Sequence, residues 1–203
     1  MFKVETGSEL FLMSAQGPTP AGVGGDLSAA AAAASPEAGL VAAARGGDRE
    51  AFDQLYGLYA PMVHGILLAR VPRGEVSDLV QDVFLVAFRK LGSLREPSRF
   101  GPWVAMITRN RATDYYRRSR ETEELHEELA HAERPSAEAA EALSVIRSLP
   151  EAYRETLVLR LVEGMTGPEI AERTGLQPAS VRVNLHRGMK LLREKLGTKG
   201  SER

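Results

Sequence analysis

The stretch from Glu121 to Glu138 carries seven acidic side chains against the single basic Arg134. It has two leucines for apolar bulk and is broken by Pro135. Such a segment cannot bury enough apolar surface to offset its own ordering entropy, and it reads as a linker. It divides the chain into two blocks, each of which must build its own core. From about Glu37 onward the apolar residues recur at helical spacing, and no convincing period-two strand follows. The expected fold class is all-α: two small helical domains joined by a flexible acidic linker.

The formal net charge of −1 over 203 residues conceals a block pattern. Residues 46–120 carry twelve basic and eight acidic groups, and residues 142–203 carry eleven and seven, so each block is +4. Residues 121–141 between them are −7. Two basic patches on separate modules point to a polyanion touched at two places. The chain has no cysteine, which excludes disulfides and thiolate metal sites. A reducing cytoplasm fits, and no apolar run approaches the ~20 residues of a membrane span. Glu5 and Glu9 interrupt the N-terminal start, so a signal peptide is not expected.

Residues 1–36, rich in Gly, Pro and Ala, read as a disordered extension, within which Met13 is an alternative start. A first helix is expected near 37–45. A second starts near Arg49, with Phe52, Leu55, Tyr56 and Tyr59 on one side, and Pro61 either bends it or opens a new helix. Ser77 is the expected cap of a helix from Asp78 to Leu91. There Leu79, Val80, Val83, Phe84, Ala87, Phe88 and Leu91 form the buried face, while Asp78, Gln81, Asp82, Leu85 and Arg89 share the other. After a loop over 93–102 a helix runs from Trp103 to about Ser119. The second block holds three or four short helices. One covers about Ala137 to Ser148, and the next starts at Pro150 and stops at Gly164. Thr166 and Glu169 match a capping box that opens a helix ending at Gly175. A last helix runs from Pro178 to about Leu196, which completes a helix-turn-helix pattern.

On that last helix Val181, Leu185, Gly188, Leu192 and Leu196 fall on one arc. Arg182, His186, Lys190 and Arg193 fall on another, beside Val183 and Arg187. The first arc suits packing and the second suits a major groove, where Ser180 and Asn184 add polar contacts. In 95–120 the aromatic residues Phe100, Trp103, Tyr115 and Tyr116 alternate with Arg95, Arg99, Arg109, Arg111, Arg117, Arg118 and Arg120. Guanidiniums beside aromatic faces suit unstacked bases and a tracked phosphate backbone. Trp103 by itself fits a core. His126 and His131 resemble a zinc-protease box, but five residues apart they sit ~140° apart on a helix and cannot share one ligand face. No metal, cofactor or catalytic residue is expected, and no phosphate-binding loop or nucleophile elbow occurs.

These residues carry a resemblance. Asp78 to Phe84, Phe100 to Trp103, Arg109-Asn110 and Asp114 to Arg118 resemble region 2 of a bacterial RNA polymerase sigma factor of the sigma-70 family. Leu149 to Glu151, Glu163-Gly164, Glu169 to Ala171 and Ser180 to Leu192 resemble region 4. With nothing between them to form a folded region 3 and no acidic region 1 before them, the chain is similar to the extracytoplasmic-function (ECF) subfamily. The implied division is an N-terminal extension at 1–36, region 2 at 37–120, a linker at 121–138, region 4 at 139–197 and a disordered tail at 198–203.

The resemblance implies a dissociable subunit that gives core RNA polymerase its promoter specificity and promotes melting, with no small-molecule substrate. Asp78, Gln81, Asp82, Leu85 and Arg89 would dock on the clamp helices of the largest polymerase subunit, and region 4 on the flap. Arg95, Phe100, Arg109, Asn110, Arg111, Arg117 and Arg118 would engage the −10 element, with a flipped base captured near the 95–100 loop. Ser180, Arg182, Val183, His186, Arg187 and Lys190 would engage the −35 element. Promoter DNA and an anti-sigma factor covering both modules complete the expected partners, in the cytoplasm and not as an integral membrane protein. No added sensory domain is expected at the C terminus. The eighteen linker residues reach at most ~60 Å, against ~50 Å for a spacer of about one and a half duplex turns. Their acidity would let them follow the basic RNA channel of the polymerase. The competing expectation is a stand-alone helix-turn-helix regulator. It would usually dimerise on paired half-sites, and it would leave the Arg-rich first module without a role.

Overall fold

The computed structural model describes residues 36–122 and 137–200. Within them the structure is helical, and no strand occurs among the described residues. The eight α-helices are α1 Pro36–Arg45, α2 Arg49–Leu68, α3 Val76–Lys90, α4 Phe100–Thr122, α5 Ala137–Arg147, α6 Glu151–Leu161, α7 Gly167–Thr174 and α8 Pro178–Gly200. Most of the N-terminal extension and most of the linker, including His126 and His131, lie outside the described residues.

In the first block α2 is the central helix. Asp48 caps it by accepting from the Ala51 amide at 3.2 Å, and its buried side runs through Leu55, Tyr59, Met62, Val63, Ile66 and Leu67. α1, α3 and α4 pack around it. Each fully buried aliphatic side chain contributes roughly 1.5–3 kcal/mol of transfer free energy, so this row supplies much of the cohesion. Pro61 neither ends nor restarts α2, which is continuous through it. The ring and the Gly57 carbonyl it leaves without a partner are both on the exposed side, where solvent can satisfy that oxygen.

α3 begins earlier than Ser77 predicts. A 3-10 turn at Arg73–Glu75 runs straight into it, so Ser77 falls inside the first turn and makes no cap. α4 begins earlier as well, at Phe100, because the turn at Pro97–Arg99 leads directly into it. It extends to Thr122, and α5 starts at Ala137, so both ends of the expected linker are helical. The last helix likewise continues to Gly200, four residues past its expected end and into the expected tail.

In the second block α6 is buried over Glu155, Thr156, Leu157, Val158 and Leu159. Five consecutive buried residues mean that the helix is covered on every side. α8 covers one side of it and α2 another. The sequence predicts two separate modules. The structure instead packs the second block against the first, with α7 against α4 and α6 against α2. The physical reason lies in α6, whose apolar residues exceed what its own small domain can cover.

Candidate nucleic-acid interface

The helix-turn-helix is built from local chemistry. The Thr166 hydroxyl accepts from the Glu169 amide at 3.4 Å, and the Glu169 carboxylate accepts from the Thr166 amide at 2.7 Å, closing the capping box. Gly175 ends α7 in the left-handed region at φ 73°, which a residue with a Cβ adopts only with strain. Val181, Gly188 and Leu192 of α8 are buried against the preceding helices and Leu185 is half-buried. At Gly188 an added Cβ would stand 3.0 Å from Leu157 Cδ1, so glycine there permits the close approach of α8 to α6. The opposite side of α8 is exposed over Ser180, Arg182, Val183, His186, Arg187 and Lys190. Lys190 reaches Glu194 at 4.0 Å, an exposed pair one turn apart that holds it weakly. All six candidate −35 residues therefore share one accessible face.

The candidate −10 residues divide. Arg95, Asn110, Arg117 and Arg118 are exposed and Arg111 is half-buried, with Arg117 paired to Asp114 at 3.1 Å. Phe100 is not available to a base. It is 1% exposed, set edge-on to Tyr59 with ring centroids 5.0 Å apart and tilted against Trp103 at 5.9 Å. Its expected direct contact is corrected to a core role, because Tyr59 on α2 and Trp103 on α4 enclose it from both sides. The Tyr59 hydroxyl donates to Glu37 at 3.0 Å. Burial first, and then the Glu37 charge, push its ionisation above the ordinary tyrosine range, so it stays a neutral donor.

Arg109 points into the contact between the blocks. Its Nη2 donates to Glu155 Oε1 at 2.6 Å and its Nε to Glu155 Oε2 at 3.2 Å. Arg70 Nη2 donates to Glu155 Oε2 at 2.9 Å from the other side, and Arg70 also pairs with Glu151. Glu155 is 6% exposed. Burial alone would raise its pKa, but hydrogen bonds and charge attraction from Arg109, then from Arg70, hold it below the ordinary glutamate range. Around this clamp, Arg147 donates to the Leu68 and Val71 carbonyls at 2.8 and 2.6 Å. Arg173 donates to the Leu58 carbonyl at 2.9 Å, and His64 Nδ1 lies 2.7 Å from Glu163 Oε1. Sequence reasoning missed this set. Its partners lie 46 to 115 positions apart, and the buried run from Glu155 to Leu159 is their one trace in the chain.

On α3 the candidate polymerase-binding residues Asp78, Gln81, Asp82, Leu85 and Arg89 are all exposed, Leu85 to 53%. Phe88, expected in the buried face, is 49% exposed. Its ring meets Phe52 edge-on at 4.8 Å, and Tyr56 meets Phe84 at 4.5 Å. Together with Leu85 and Gln81 these rings line an open groove of about 440 Å³. The sequence hint was there: Phe88 is three residues beyond Leu85 and four beyond Phe84, at the border of two faces. Among the described residues no cluster of metal-ligating side chains occurs, and no helix is long and apolar enough to cross a membrane.

Residues 55–122 match the family model for sigma-70 region 2, and residues 135–192 match that for sigma-70 region 4. RNA polymerase sigma factor CarQ of Myxococcus xanthus is 33% identical over 162 residues, which covers 75% of this chain and 93% of that protein. The ECF RNA polymerase sigma-E factor of Escherichia coli K12 is 29% identical over 188 residues, covering 77% and 92%. Among solved structures, CnrH in complex with the cytosolic domain of CnrY aligns at a TM-score of 0.59 with 28% identity, over 80% of this chain and 97% of that one. The sigma factor RpoE of Bartonella quintana, in complex with the anti-sigma factor NepR, shares the fold at a TM-score of 0.53 and 23% identity, over 72% and 96%. Two family models in the order that the resemblance implied, and a relative matched over nearly its whole length, place the chain in the sigma-70 family of RNA polymerase sigma factors, among those of the ECF type.

Proposed function

We propose that the chain binds core RNA polymerase, brings it to promoters bearing −35 and −10 elements, and promotes melting, with nucleotide chemistry left to the polymerase. The observation that carries this is the exposed face of α8, where Arg182, His186, Arg187 and Lys190 project together from a capped helix-turn-helix. Arg182 and Arg187 have the reach to bond base edges or phosphates in a −35 major groove, Ser180 adds a hydroxyl, and Val183 offers an apolar contact to a thymine methyl. Lys190, farther along the helix, suits phosphate.

Arg95, Arg109, Asn110, Arg111, Arg117 and Arg118 are the residues for the −10 element, Arg109 being also bonded to Glu155 in this structure, with Phe100 acting from below as part of the platform. DNA stacking resists opening by about 1.4 kcal/mol per step. Hydrogen bonds to an extruded base and cationic contacts along the displaced strand offset that cost. Asp78, Gln81, Asp82, Leu85 and Arg89 form the docking face for the clamp helices, and the groove of Phe52, Tyr56, Phe84 and Phe88 adds an apolar centre to its charged rim. Apolar anchors ringed by polar residues are the usual anatomy of a protein interface. Region 4 would reach the flap. An anti-sigma partner is supported by the solved complexes of its structural neighbours.

The test mixes the purified chain with sigma-free bacterial core polymerase and follows complex formation by gel filtration, for wild type and Asp82→Ala. A stoichiometric complex weakened by the substitution is the expected result. Failure of folded wild-type protein to bind core would move the function to a stand-alone DNA-binding regulator.

A further inference from the structure

The exposed rings of the first block have a match elsewhere in the same chain. Tyr56, Leu85 and Phe88 are 40%, 53% and 49% exposed, and with Phe52 they wall a groove of about 440 Å³ that the buried Phe84 also lines. Apolar walls left open to water mark a surface that something covers. Residues 1–35 lie outside the described structure. Their longest run of bulky apolar residues is Leu10, Phe11, Leu12 and Met13, four in succession. Residues 14–35 add only Val23 and Leu27 to a background rich in Gly, Ala, Pro and Ser.

The reach fits the groove. The described chain begins at Pro36, and the adjacent Glu37 accepts from the Tyr59 hydroxyl, one turn of α2 beyond Tyr56. Twenty-two residues, 14–35, join Met13 to that point. A Gly-rich tether of this length has an r.m.s. span of about 25 Å, against about 8–10 Å between neighbouring helices of a bundle. Such tethering supplies an effective concentration of about 1 mM, so even a seat of millimolar intrinsic affinity is filled about half the time. Glu9, next to Leu10, has the exposed Arg49 on the groove rim as an ion-pair partner.

We propose that the run Leu10–Met13 seats in the groove of Phe52, Tyr56, Phe84 and Phe88 on its own chain, and masks the polymerase-docking face until core polymerase displaces it. The masking, though not the seat itself, depends on α3 being that face. A groove open for only part of the time has its apparent affinity for polymerase reduced by that fraction. Four apolar side chains are thereby kept from water and from other molecules until the polymerase arrives.

The absence of cysteine lets a spin label be placed at will. Ser14→Cys carries a nitroxide just beyond the run, in the full isotope-labelled chain. Paramagnetic broadening is expected at the backbone amides of 52–56 and 81–88, above that of the rest of the first block, and should vanish in Leu10→Asp with Phe11→Asp. That double variant should bind core polymerase about two- to tenfold more tightly than wild type. A chain begun at Met13, which lacks Leu10, Phe11 and Leu12, should match it.

Broadening seen only when spin-labelled chain is mixed with isotope-labelled chain would give the groove to a second copy and overturn the intramolecular seat. Broadening spread evenly over the block, or unchanged in the double variant, would overturn it too. Equal core affinity for wild type and the double variant would overturn the masking. Phe88→Ala, placed in the double variant so that no tail competes, separates the two questions. If it weakens core binding while no broadening marks the groove, the seat is wrong and the docking face stands. If broadening marks the groove but Phe88→Ala leaves core affinity unchanged, the masking falls and the fault lies with the docking face.

Discussion

Gly101 of α4 faces the backbone of Arg173 in α7 so closely that a Cβ there would stand 2.8 Å from the Arg173 carbonyl oxygen. The same Cβ would lie 2.9 Å from Tyr59 Cε1. Both neighbours are stiff, one being main chain and the other a ring packed on Phe100. Gly101→Ala is therefore expected to push region 4 off region 2, even though alanine is the better helix former. Small-angle scattering should show a larger radius of gyration than wild type, with helical content preserved by circular dichroism. An unchanged radius would mean that the two regions do not rest on each other in solution.

The capping box on α7 makes a local prediction. Thr166→Ala removes the oxygen that accepts from the Glu169 amide and should cost about 1 kcal/mol. For a domain of this size that is a fall of roughly 4–8 °C in the melting midpoint, read by thermal denaturation. Thr166→Ser, which keeps the oxygen, should restore most of it.

How legible each part was depended on how far its cause lay along the chain. The capping box, the Gly175 turn and the two faces of α8 were readable because each is settled within a few residues. Phe100 and Phe88 were assigned the wrong way round. Phe100 sits among arginines in the sequence, but Tyr59, some forty positions away, covers it. Phe88 belongs to the apolar arc of α3, but the core ends before it does. A helical wheel gives the direction of a side chain and not the extent of what it meets. The closure of region 4 on region 2 was illegible for the same reason. Glu155 reads as an ordinary helix glutamate until Arg70 and Arg109 are brought to it.

That glutamate also sets a pH dependence. Its carboxyl is held below the ordinary glutamate value of 4.5, so the folded protein binds this proton less readily than the unfolded chain does. The stabilisation is fully present above the unfolded pKa and is lost as pH falls through the depressed folded value. Wild type should therefore lose thermal stability on acidification below about pH 4.5 more steeply than Glu155→Gln, which has no proton to take up at this position. Equal slopes for the two proteins would show that Glu155 is not held as a carboxylate in solution.

The −35 face and the polymerase face should separate by phenotype. Arg182→Ala and Arg187→Ala are each expected to cost about 1–3 kcal/mol of discrimination, roughly 5- to 150-fold in promoter binding by holoenzyme, while leaving core binding intact. Lys190→Ala should weaken all sequences evenly and reduce the salt dependence of binding by about one unit of slope. Asp82→Ala should do the reverse of the arginine changes. Swapped phenotypes would mean that the two faces are misassigned.

Phe88 gives the sharpest test of the polymerase face, because its exposure separates folding from docking. A ring 49% exposed contributes less to the core than a buried one, so Phe88→Ala should lower the melting midpoint only slightly. An aromatic at the centre of an interface is another matter, since truncating such an anchor typically costs about 2 kcal/mol or more of binding. Core polymerase affinity, measured by fluorescence anisotropy of the labelled chain, should accordingly fall by more than the stability loss explains. Binding of a −35 duplex by the isolated chain should be unaffected, because α3 and the exposed face of α8 are separate surfaces. If core affinity holds while stability drops, Phe88 is a structural residue and the groove beside it is not part of the docking surface.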